Sequence, residues 1–245
     1  MEQERKILIT NDDGITADGI IRLAAAARKY GQVWVVAPES QRSAMSHSIT
    51  LRSHIDIWKH EFPVEGVEAY ACSGTPGDCV RVGALNIVPG KPDIVFSGIN
   101  YGYNCASDIQ YSATVGAALE AAFQEIPAVA FSEGTKYHEV TDAYLEQVID
   151  KLIDKKLPAE TIWNVNFPDC PLSQLAGILE ERTMSRKVVF SDSYTEEQLP
   201  DGIRRFMVHG QLKEDAEPGS DYQALLDNYI SIGQVENLQA PSCSK

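Results

Sequence analysis

Basic residues are scarce in this chain of 245 residues, which has 21 Lys and Arg against 35 Asp and Glu. The resulting formal net charge of −14 disfavours broad contact with duplex nucleic acid or with an anionic membrane. Both of those partners depend on Lys and Arg to neutralise phosphates. A small phosphorylated ligand held through a divalent cation is compatible with this charge.

Cysteines are also few, and the five present form no Cys-x-x-Cys pair. An odd number without that spacing argues against a disulfide framework and against a zinc site. No apolar run reaches the length of a membrane span, and the first strand-like run starts within six residues without a signal peptide. We therefore expect a soluble cytoplasmic protein. Gly-x-Ser-x-Gly and Walker motifs are absent as well, which disfavours a serine hydrolase or a P-loop protein.

The apolar pattern that is present predicts an α/β fold. Strand-like runs at 6–9 and 33–37 enclose a stretch with helical apolar spacing, formed by Ile20, Leu23, Ala24 and Ala27. A strand, a helix and a strand make a βαβ unit with a right-handed crossover. Later strand-like runs alternate with helical stretches in the same way, at 93–97, 128–132 and 161–166. The sequence predicts a Rossmann-like, doubly wound, mainly parallel sheet.

Two segments depart from this alternation. Residues 48–73 predict an antiparallel hairpin, and beyond Pro168 we expect strands at 182–191 and 202–210 joined by a polar loop. We therefore divide the chain into an α/β core at 1–170 and a C-terminal hairpin and oligomerisation arm at 171–245, which completes the same functional unit. A hairpin that does not bury its own faces usually packs on a partner, so the arm indicates an oligomer.

Two adjacent carboxylates, Asp12 and Asp13, follow the first strand-like run, where a buried strand would emerge at the rim of the sheet. Ligands of open α/β sheets bind outside the carboxyl ends of the strands. Neighbouring aspartates repel each other when desolvated, unless a cation offsets the repulsion. The pair indicates a site for a hard metal ion, with an ordinary Asn-Asp-Asp-Gly turn as the alternative.

Two later segments are suited to complete such a site. Asn100 follows another apolar run, and its neutral amide oxygen suits the shell of Mg²⁺ or Mn²⁺. Ser112 and Thr114 open a helix of small residues, where N–H groups, the helix dipole and the hydroxyls favour a phosphate. Ordinary loop and capping roles are the alternatives for these residues.

A polar loop after the second strand-like run places Arg42 and Ser43 on the same rim. Arg42 is suited to clamp a phosphate, and Ser43 offers a hydroxyl ligand. A solvated loop is the alternative. The segment from Thr75 to Asp78 is instead typical of a helix start, since Thr at the N-cap, Pro at N1 and Asp at N3 form a capping-box pattern.

Several motifs, taken in their order along the chain, carry a resemblance to a known family. They are Ile9-Thr10-Asn11-Asp12-Asp13-Gly14, Ala37-Pro38 with Gln41-Arg42-Ser43, Gly74-Thr75-Pro76-Gly77-Asp78-Cys79-Val80, Ser97-Gly98-Ile99-Asn100-Tyr101-Gly102-Tyr103-Asn104 and Tyr111-Ser112-Ala113-Thr114-Val115. The chain resembles the SurE family of survival-protein 5′-nucleotidases, from about residue 6 to residue 168 and more weakly at 219–231.

This resemblance implies one divalent metal ion per subunit, Mg²⁺ or Mn²⁺, held by Asp12, Asp13, Ser43 and Asn100. It also implies phosphate binding by Asn104, Ser112 and Thr114, with Arg42 as a further candidate. Asp12 is the expected ligand that also orients or deprotonates a water, although Asp13 could exchange roles with it. The family's C-terminal arms imply a homodimer or a homotetramer.

The expected activity is metal-dependent hydrolysis of nucleoside 5′-monophosphates, with 3′-monophosphates and short polyphosphate as further candidate substrates. A non-catalytic nucleotide-binding module on the same fold is the alternative, and a structural subunit is a third. The sequence departs from the family pattern at Ala113, where Gly is usual, and at Tyr103, where Pro is common. These departures bear on substrate preference more than on the metal site.

Overall fold

Apolar runs form the central strands in the computed structural model, which describes residues 4–237. The strands are β1 (Lys6–Thr10), β2 (Gln32–Pro38), β3 (Ile57–Lys59), β4 (Glu68–Cys72), β5 (Ile94–Tyr101), β6 (Ala128–Glu133), β7 (Thr161–Phe167), β8 (Gly177–Arg182), β9 (Phe190–Gln198), β10 (Arg204–Leu212) and β11 (Tyr229–Glu236). The α-helices are α1 (Asp18–Ala27), α2 (Pro76–Val82), α3 (Ala113–Phe123), α4 (Glu139–Leu152) and α5 (Asp221–Leu226). Short 3-10 helices span Ala106–Gln110 and Leu172–Gln174, and a π-helical turn spans Gly83–Ile87.

Within these described residues, a 9-stranded sheet has the order β3-β4-β2-β1-β5-β6-β7-β11-β8. The strands from β4 to β7 in this order are parallel, whereas β3 and β11 run antiparallel to their neighbours β4 and β7. The order reverses at β1, because the chain passes to β2 on one side and later to β5 on the other. In open α/β sheets, ligands bind at such a reversal. The predicted Rossmann-like, doubly wound fold is confirmed.

Helices cover both faces of this sheet. Along β1, Ile7 and Ile9 pack with residues of α1 and α4, while Leu8 packs on the opposite face with residues of α2 and α3. A strand that is covered on both faces has no polar side, which explains its continuous apolar run. The predicted apolar face of α1 is likewise buried, at Ile20, Leu23, Ala24 and Ala27.

The helix start predicted at Thr75 is confirmed. The Thr75 hydroxyl accepts from the Asp78 N–H at 3.1 Å, and the Asp78 carboxylate accepts from the Thr75 N–H at 3.0 Å. Thr50 adds donors to the same carboxylate, from its N–H at 2.9 Å and its hydroxyl at 2.6 Å. Burial alone would raise the pKa of Asp78, but these hydrogen bonds outweigh it and lower the pKa. Asp78 therefore stabilises the start of α2.

The antiparallel pairing predicted within residues 48–73 is also present, between β3 and β4. Its register pairs Ile57 with Cys72 and Lys59 with Tyr70. On its other side, β4 pairs in parallel with β2. The hairpin is therefore the edge of the main sheet.

The C-terminal hairpin exists as a separate two-stranded sheet of β9 and β10. The strand predicted at 202–210 largely coincides with β10, but the strand predicted at 182–191 was wrong. Most of the polar loop expected at 191–201 is strand β9, and the turn lies at 199–203. The reason is that both strands are exposed along their whole length. A strand that buries neither face needs no apolar alternation, so its sequence has the composition of a loop.

Residues after 170 also contribute to the main sheet. β11 pairs with β7 and β8, and α5 precedes it. The C-terminal part therefore completes the main sheet. The division of the chain at residue 170 stays a prediction. No helix within residues 4–237 is both long and apolar enough to cross a membrane.

Candidate active site

Loops that follow three neighbouring strands converge at the carboxyl edge of the sheet. Asp12 and Asp13 follow β1, Ser43 follows β2, and Asn100 lies near the end of β5. The pairing of β5 with β6 shifts register between Ser97 and Asn100, just before the predicted ligand. Because β1 lies between β2 and β5, the sheet order itself brings the predicted metal ligands to one place.

Asp12 is buried, with 3% of its surface exposed. One carboxylate oxygen accepts from the Thr114 hydroxyl at 2.5 Å, and the other accepts from the Thr114 N–H at 3.2 Å. The pKa of Asp12 is raised to about 6, because burial and the charge of Asp13 together outweigh the hydrogen bonds from Thr114, which lower it. The ionised form of Asp12 is thus disfavoured in the absence of a cation.

Asp13 is less buried, and its carboxylate accepts from the Tyr101 N–H at 3.0 Å. Burial raises the pKa of Asp13 as well, although the bonds from Tyr101 and Gln41 oppose the shift. Gln41 also donates to the Ser43 hydroxyl at 3.1 Å. The loops after β1, β2 and β5 are therefore joined by hydrogen bonds.

Asn100 faces Thr114 across the same site. Its amide nitrogen donates to the Gly102 carbonyl at 2.8 Å, and its amide oxygen lies 3.4 Å from the Thr114 hydroxyl. Thr114 thus lies between Asp12 and Asn100, and its hydroxyl is fully buried with the rest of the residue. Two predicted metal ligands and one predicted phosphate ligand are brought into direct contact.

The sequence did not predict which residues hold Asn104 in place. The Asn104 N–H donates to the Asn166 amide oxygen at 2.8 Å, and the Asn104 carbonyl accepts from the amides of Asn164 and Asn166 at 2.8 and 3.0 Å. The Asn104 amide nitrogen donates to the Ser132 hydroxyl at 2.8 Å. Two asparagines two positions apart on a buried strand share one face, and this spacing is the signal that could have identified them.

Ser112 caps α3, and its hydroxyl accepts from the Val115 N–H at 3.1 Å. Its own N–H donates to the Asp108 carbonyl at 3.1 Å. Ser112 therefore joins the 3-10 helix Ala106–Gln110 to the N-terminus of α3. The partial positive charge of that terminus lies where an anion was predicted to bind.

The Arg42 side chain contacts residues outside the group of predicted metal ligands. Its guanidinium donates to the Ser73 carbonyl at 3.2 Å and lies 3.9 Å from the Glu39 carboxylate. Its backbone N–H, in contrast, donates to the Asp12 carbonyl at 2.6 Å. The structure connects Arg42 to the loop of Asp12 through its backbone rather than placing its charged group at the site.

A cavity of about 370 Å³ unites most of these groups. Its described lining residues are Asp12, Ser43, Ala44, Asn100, Tyr101, Gly102, Tyr103, Asn104, Asp108, Tyr111, Ser112, Phe190 and Asp192. This size falls in the range of small-molecule sites, about 300–1,000 Å³. Five of the predicted site residues line the cavity, whereas Asp13, Thr114 and Arg42 are not among its described lining residues. No sequence signal indicated a role at the site for Phe190, near the end of a predicted strand, or for Asp192, in the predicted polar loop.

Contacts outside the cavity hold the loop of Ser43 against α3. The His47 ring pairs with the buried Glu120 carboxylate at 2.9 Å and stacks on Phe123 at 5.3 Å. Arg81 contacts the same carboxylate at 3.1 Å. Gly116 allows the close approach, since a Cβ there would lie 2.6 Å from the Ser46 carbonyl oxygen. His47 therefore positions the loop.

The fold and this cluster define a doubly wound α/β protein with a candidate ligand site, rich in oxygen atoms, at the reversal of its sheet. The family model "Survival protein SurE" matches residues 7–189. The chain therefore belongs to the SurE family, as its motifs predicted.

Individual relatives agree with this assignment. The chain is 38% identical over 234 residues to "5′-nucleotidase SurE" of Thermosipho melanesiensis, covering 94% of this chain and 90% of the relative. It is 40% identical over 250 residues to "5′-nucleotidase SurE" of Chlorobium chlorochromatii, with coverage of 94% and 90%. The crystal structure of Sure protein from Aquifex aeolicus superposes with a TM-score of 0.80 at 31% identity, covering 96% of this chain and 94% of that one.

Proposed function

We propose that this protein is a metal-dependent 5′-nucleotidase, which hydrolyses nucleoside 5′-monophosphates to nucleoside and phosphate. The observation that carries the proposal is the buried Asp12 carboxylate, held by Thr114 at the reversal of the sheet. The relatives named 5′-nucleotidase SurE support the reaction class. Burying a carboxylate without a cation is costly, which favours a charged ligand over a purely structural role.

The donor set fits an oxygen-ligated divalent cation. The described residues contain no group of three or more His, Cys, Asp or Glu side chains placed to hold a metal ion, which disfavours a zinc centre. Mg²⁺ is commonly held by one or two carboxylates and keeps several waters. We propose that Asp12, Asp13, Asn100 and Ser43 hold one Mg²⁺ or Mn²⁺ per subunit. When bound, the cation would supply the charge that polarises a phosphoryl oxygen and lowers the pKa of a water.

Asp12 is the residue proposed to orient the attacking water and to accept its proton. Both of its carboxylate oxygens accept from Thr114, which fixes the carboxylate for that purpose. Water attacks phosphorus in line with the ester bond and gives a proton to the Asp12 carboxylate. The phosphorus–oxygen bond to the nucleoside breaks with its electron pair on the leaving oxygen, and that oxygen takes up a proton from solvent. This sequence requires no covalent phosphoenzyme. Asp13 is the alternative for the proton acceptor.

The phosphate is proposed to bind at the start of α3. The Ser112 hydroxyl and the Asn104 side chain line the cavity there, and the helix dipole adds to their attraction for an anion. The hydrogen bonds that hold Asn104 by backbone and side chain fix its position before substrate arrives. Thr114 acts beside the phosphate position through its hydrogen bonds to Asp12.

Oligomer formation through the hairpin is a further part of the proposal. Residues two apart on a strand share a face, so Tyr194, Phe206 and Val208 lie on one face of β9–β10, farther along the hairpin than the cavity residue Phe190. All of them are exposed. We propose that this face packs on another copy in a homodimer or a homotetramer. Location in the cytoplasm stays a prediction from the sequence.

The test is phosphate release from nucleoside 5′- and 3′-monophosphates, first with EDTA and then with Mg²⁺ or Mn²⁺ restored. Release that depends on the metal and is lost in Asp12→Asn supports the proposal. Asp201→Asn, which changes an exposed carboxylate in the hairpin turn, is the matched control and should keep the activity. Binding of nucleotides without release would instead favour the non-catalytic module.

A further inference from the structure

Tyr103 lines the cavity but has no part in the proposed reaction, and it is one of the positions at which the chain departs from the family pattern. It belongs to the site loop, residues 100–104, between the proposed metal ligand Asn100 and the proposed phosphate ligand Asn104. Tyr103 is half-buried and packs against a small apolar cluster that includes Tyr222. Its phenol oxygen accepts a hydrogen bond from the Asp169 N–H. Tyr103 therefore connects the site loop to the segment that follows β7.

Asp169 is held by several contacts of its own. Its carboxylate accepts from the backbone N–H groups of three consecutive residues, at 3.2, 3.0 and 2.9 Å for Thr135, Lys136 and Tyr137. Successive N–H groups form a concave site for an anion, which the carboxylate fills here. Gly134 allows this close packing, since a Cβ there would lie 2.2 Å from the Asp169 Cβ. Asp169 is therefore a fixed point between the loops that follow β6 and β7.

The restraint on Tyr103 extends to the peptide group that joins it to Gly102. Gly102 has a φ of +114°, and a Cβ there would meet nothing closer than the Asn100 amide nitrogen at 4.0 Å. Packing therefore does not hold this glycine, whose backbone is free to adopt many conformations. Its carbonyl and the Tyr103 N–H belong to one planar peptide group. Holding Tyr103 in place therefore restricts the direction of the Gly102 carbonyl.

The Gly102 carbonyl in turn orients the Asn100 side chain. The Asn100 amide nitrogen donates to this carbonyl at 2.8 Å, and the amide oxygen lies 3.4 Å from the Thr114 hydroxyl, beside Asp12. An amide turned the other way would present its nitrogen, which is a donor, where a cation requires an acceptor. The bond to Gly102 therefore selects the orientation in which Asn100 can serve as a metal ligand.

Resting on the proposed function, we infer that Tyr103 and Asp169 are positioning residues for the metal site. Asp169 holds the Tyr103 phenol, and Tyr103 restricts the Gly102 carbonyl. That carbonyl keeps the Asn100 amide oxygen available to the cation. Neither positioning residue is a ligand of the cation. Their effect is on the affinity for Mg²⁺ or Mn²⁺, and not on the chemistry of the site once it is loaded.

The experiment measures Mn²⁺ binding by isothermal titration calorimetry in the wild type, Tyr103→Phe, Asp169→Ala and the double variant. Tyr103→Phe keeps the ring and removes the oxygen that accepts from Asp169, so binding should weaken about two- to tenfold, the effect of one hydrogen bond. Because the two residues act through one contact, the double variant should bind no more weakly than the weaker single variant. At saturating Mn²⁺, kcat for phosphate release should stay within about twofold of the wild type. Tyr103→Phe alone decides the matter if Asp169→Ala does not fold.

Tyr222→Phe is the matched control, since Tyr222 belongs to the same apolar cluster but its hydroxyl donates to the Lys213 carbonyl and not to the site loop. This variant should bind Mn²⁺ as the wild type does. Unchanged binding in Tyr103→Phe would overturn the inference, and so would equal weakening in Tyr222→Phe. Binding by the wild type without phosphate release would refute the proposed activity alone, and the variants' Mn²⁺ affinities would still decide the inference. A wild type that binds no Mn²⁺ would overturn both the proposed metal site and the inference.

Discussion

Replacing Asp12 by Asn should change how the stability of the metal-free protein depends on pH. The folded-state pKa of Asp12 is raised from 3.8 to about 6, so the folded state holds this proton more tightly than the unfolded chain. The free energy of unfolding therefore falls as pH rises from about 4 to about 6, and the loss is complete above that range. A shift of about two pKa units corresponds to about 3 kcal/mol.

For a chain of this size, about 3 kcal/mol corresponds to a fall in Tm of roughly 6–12 °C. The assay is thermal unfolding in EDTA at intervals from pH 4 to pH 7.5. In Asp12→Asn this fall should be absent. The Asn side chain can accept from the Thr114 N–H but keeps only one of the two carboxylate acceptors. The level of stability can therefore change for this reason alone, and the variants are compared by the slope of stability with pH.

Adding Mn²⁺ at pH 7.5 should raise the Tm of the wild type more than that of Asp12→Asn, because the cation stabilises the ionised carboxylate. Asp201→Asn, on the hairpin turn, should follow the wild type in both measurements. Parallel pH profiles for the wild type and Asp12→Asn would refute the reasoning, because Asp12 would then be as easily ionised in the fold as in water.

Three further predictions concern the scaffold of the site. Gly116→Ala places a Cβ 2.6 Å from the Ser46 carbonyl oxygen and should displace the loop of Ser43, raising the metal concentration for half-maximal activity; an unchanged value would contradict this. Asn166→Ala removes two bonds to the Asn104 backbone and should cost about 1–3 kcal/mol by denaturant unfolding, together with a raised KM. Asp78→Asn should remove a loss of stability on acidification through the usual carboxyl range, because hydrogen bonds lower the pKa of Asp78; a thermal-unfolding series from pH 5 to pH 2.5 checks this sign.

The parallel core could be predicted because its strands are covered on both faces. Burial on both faces requires the continuous apolar runs seen in β1 and β2, and parallel pairing brings their carboxyl ends to one edge. The convergence of Asp12 and Asn100 follows from that topology and needed no knowledge of side-chain contacts. The helix start at Thr75 was predictable for a different reason, since a capping box is a local interaction.

The features that could not be predicted depend on contacts that leave no pattern in the local sequence. β9 is exposed on both faces and has the composition of a loop, so its place beside the cavity through Phe190 and Asp192 was not foreseeable. The antiparallel pairing of β11 with β7 joins segments far apart in the chain. Asn164 was assigned to a strand correctly, but its bond to the Asn104 carbonyl depends on where β5 ends.

The scaffold beneath Asn104 consists of amide and hydroxyl groups, from Ser132, Asn164 and Asn166. Groups of this kind neither gain nor lose a proton across the neutral range. Their hydrogen bonds therefore hold Asn104 equally well in acid and in alkaline solution. A titration step in substrate turnover would then arise from the carboxylates, from the substrate or from groups outside this scaffold, and a pH–rate profile would report on the chemistry rather than on a shifting support.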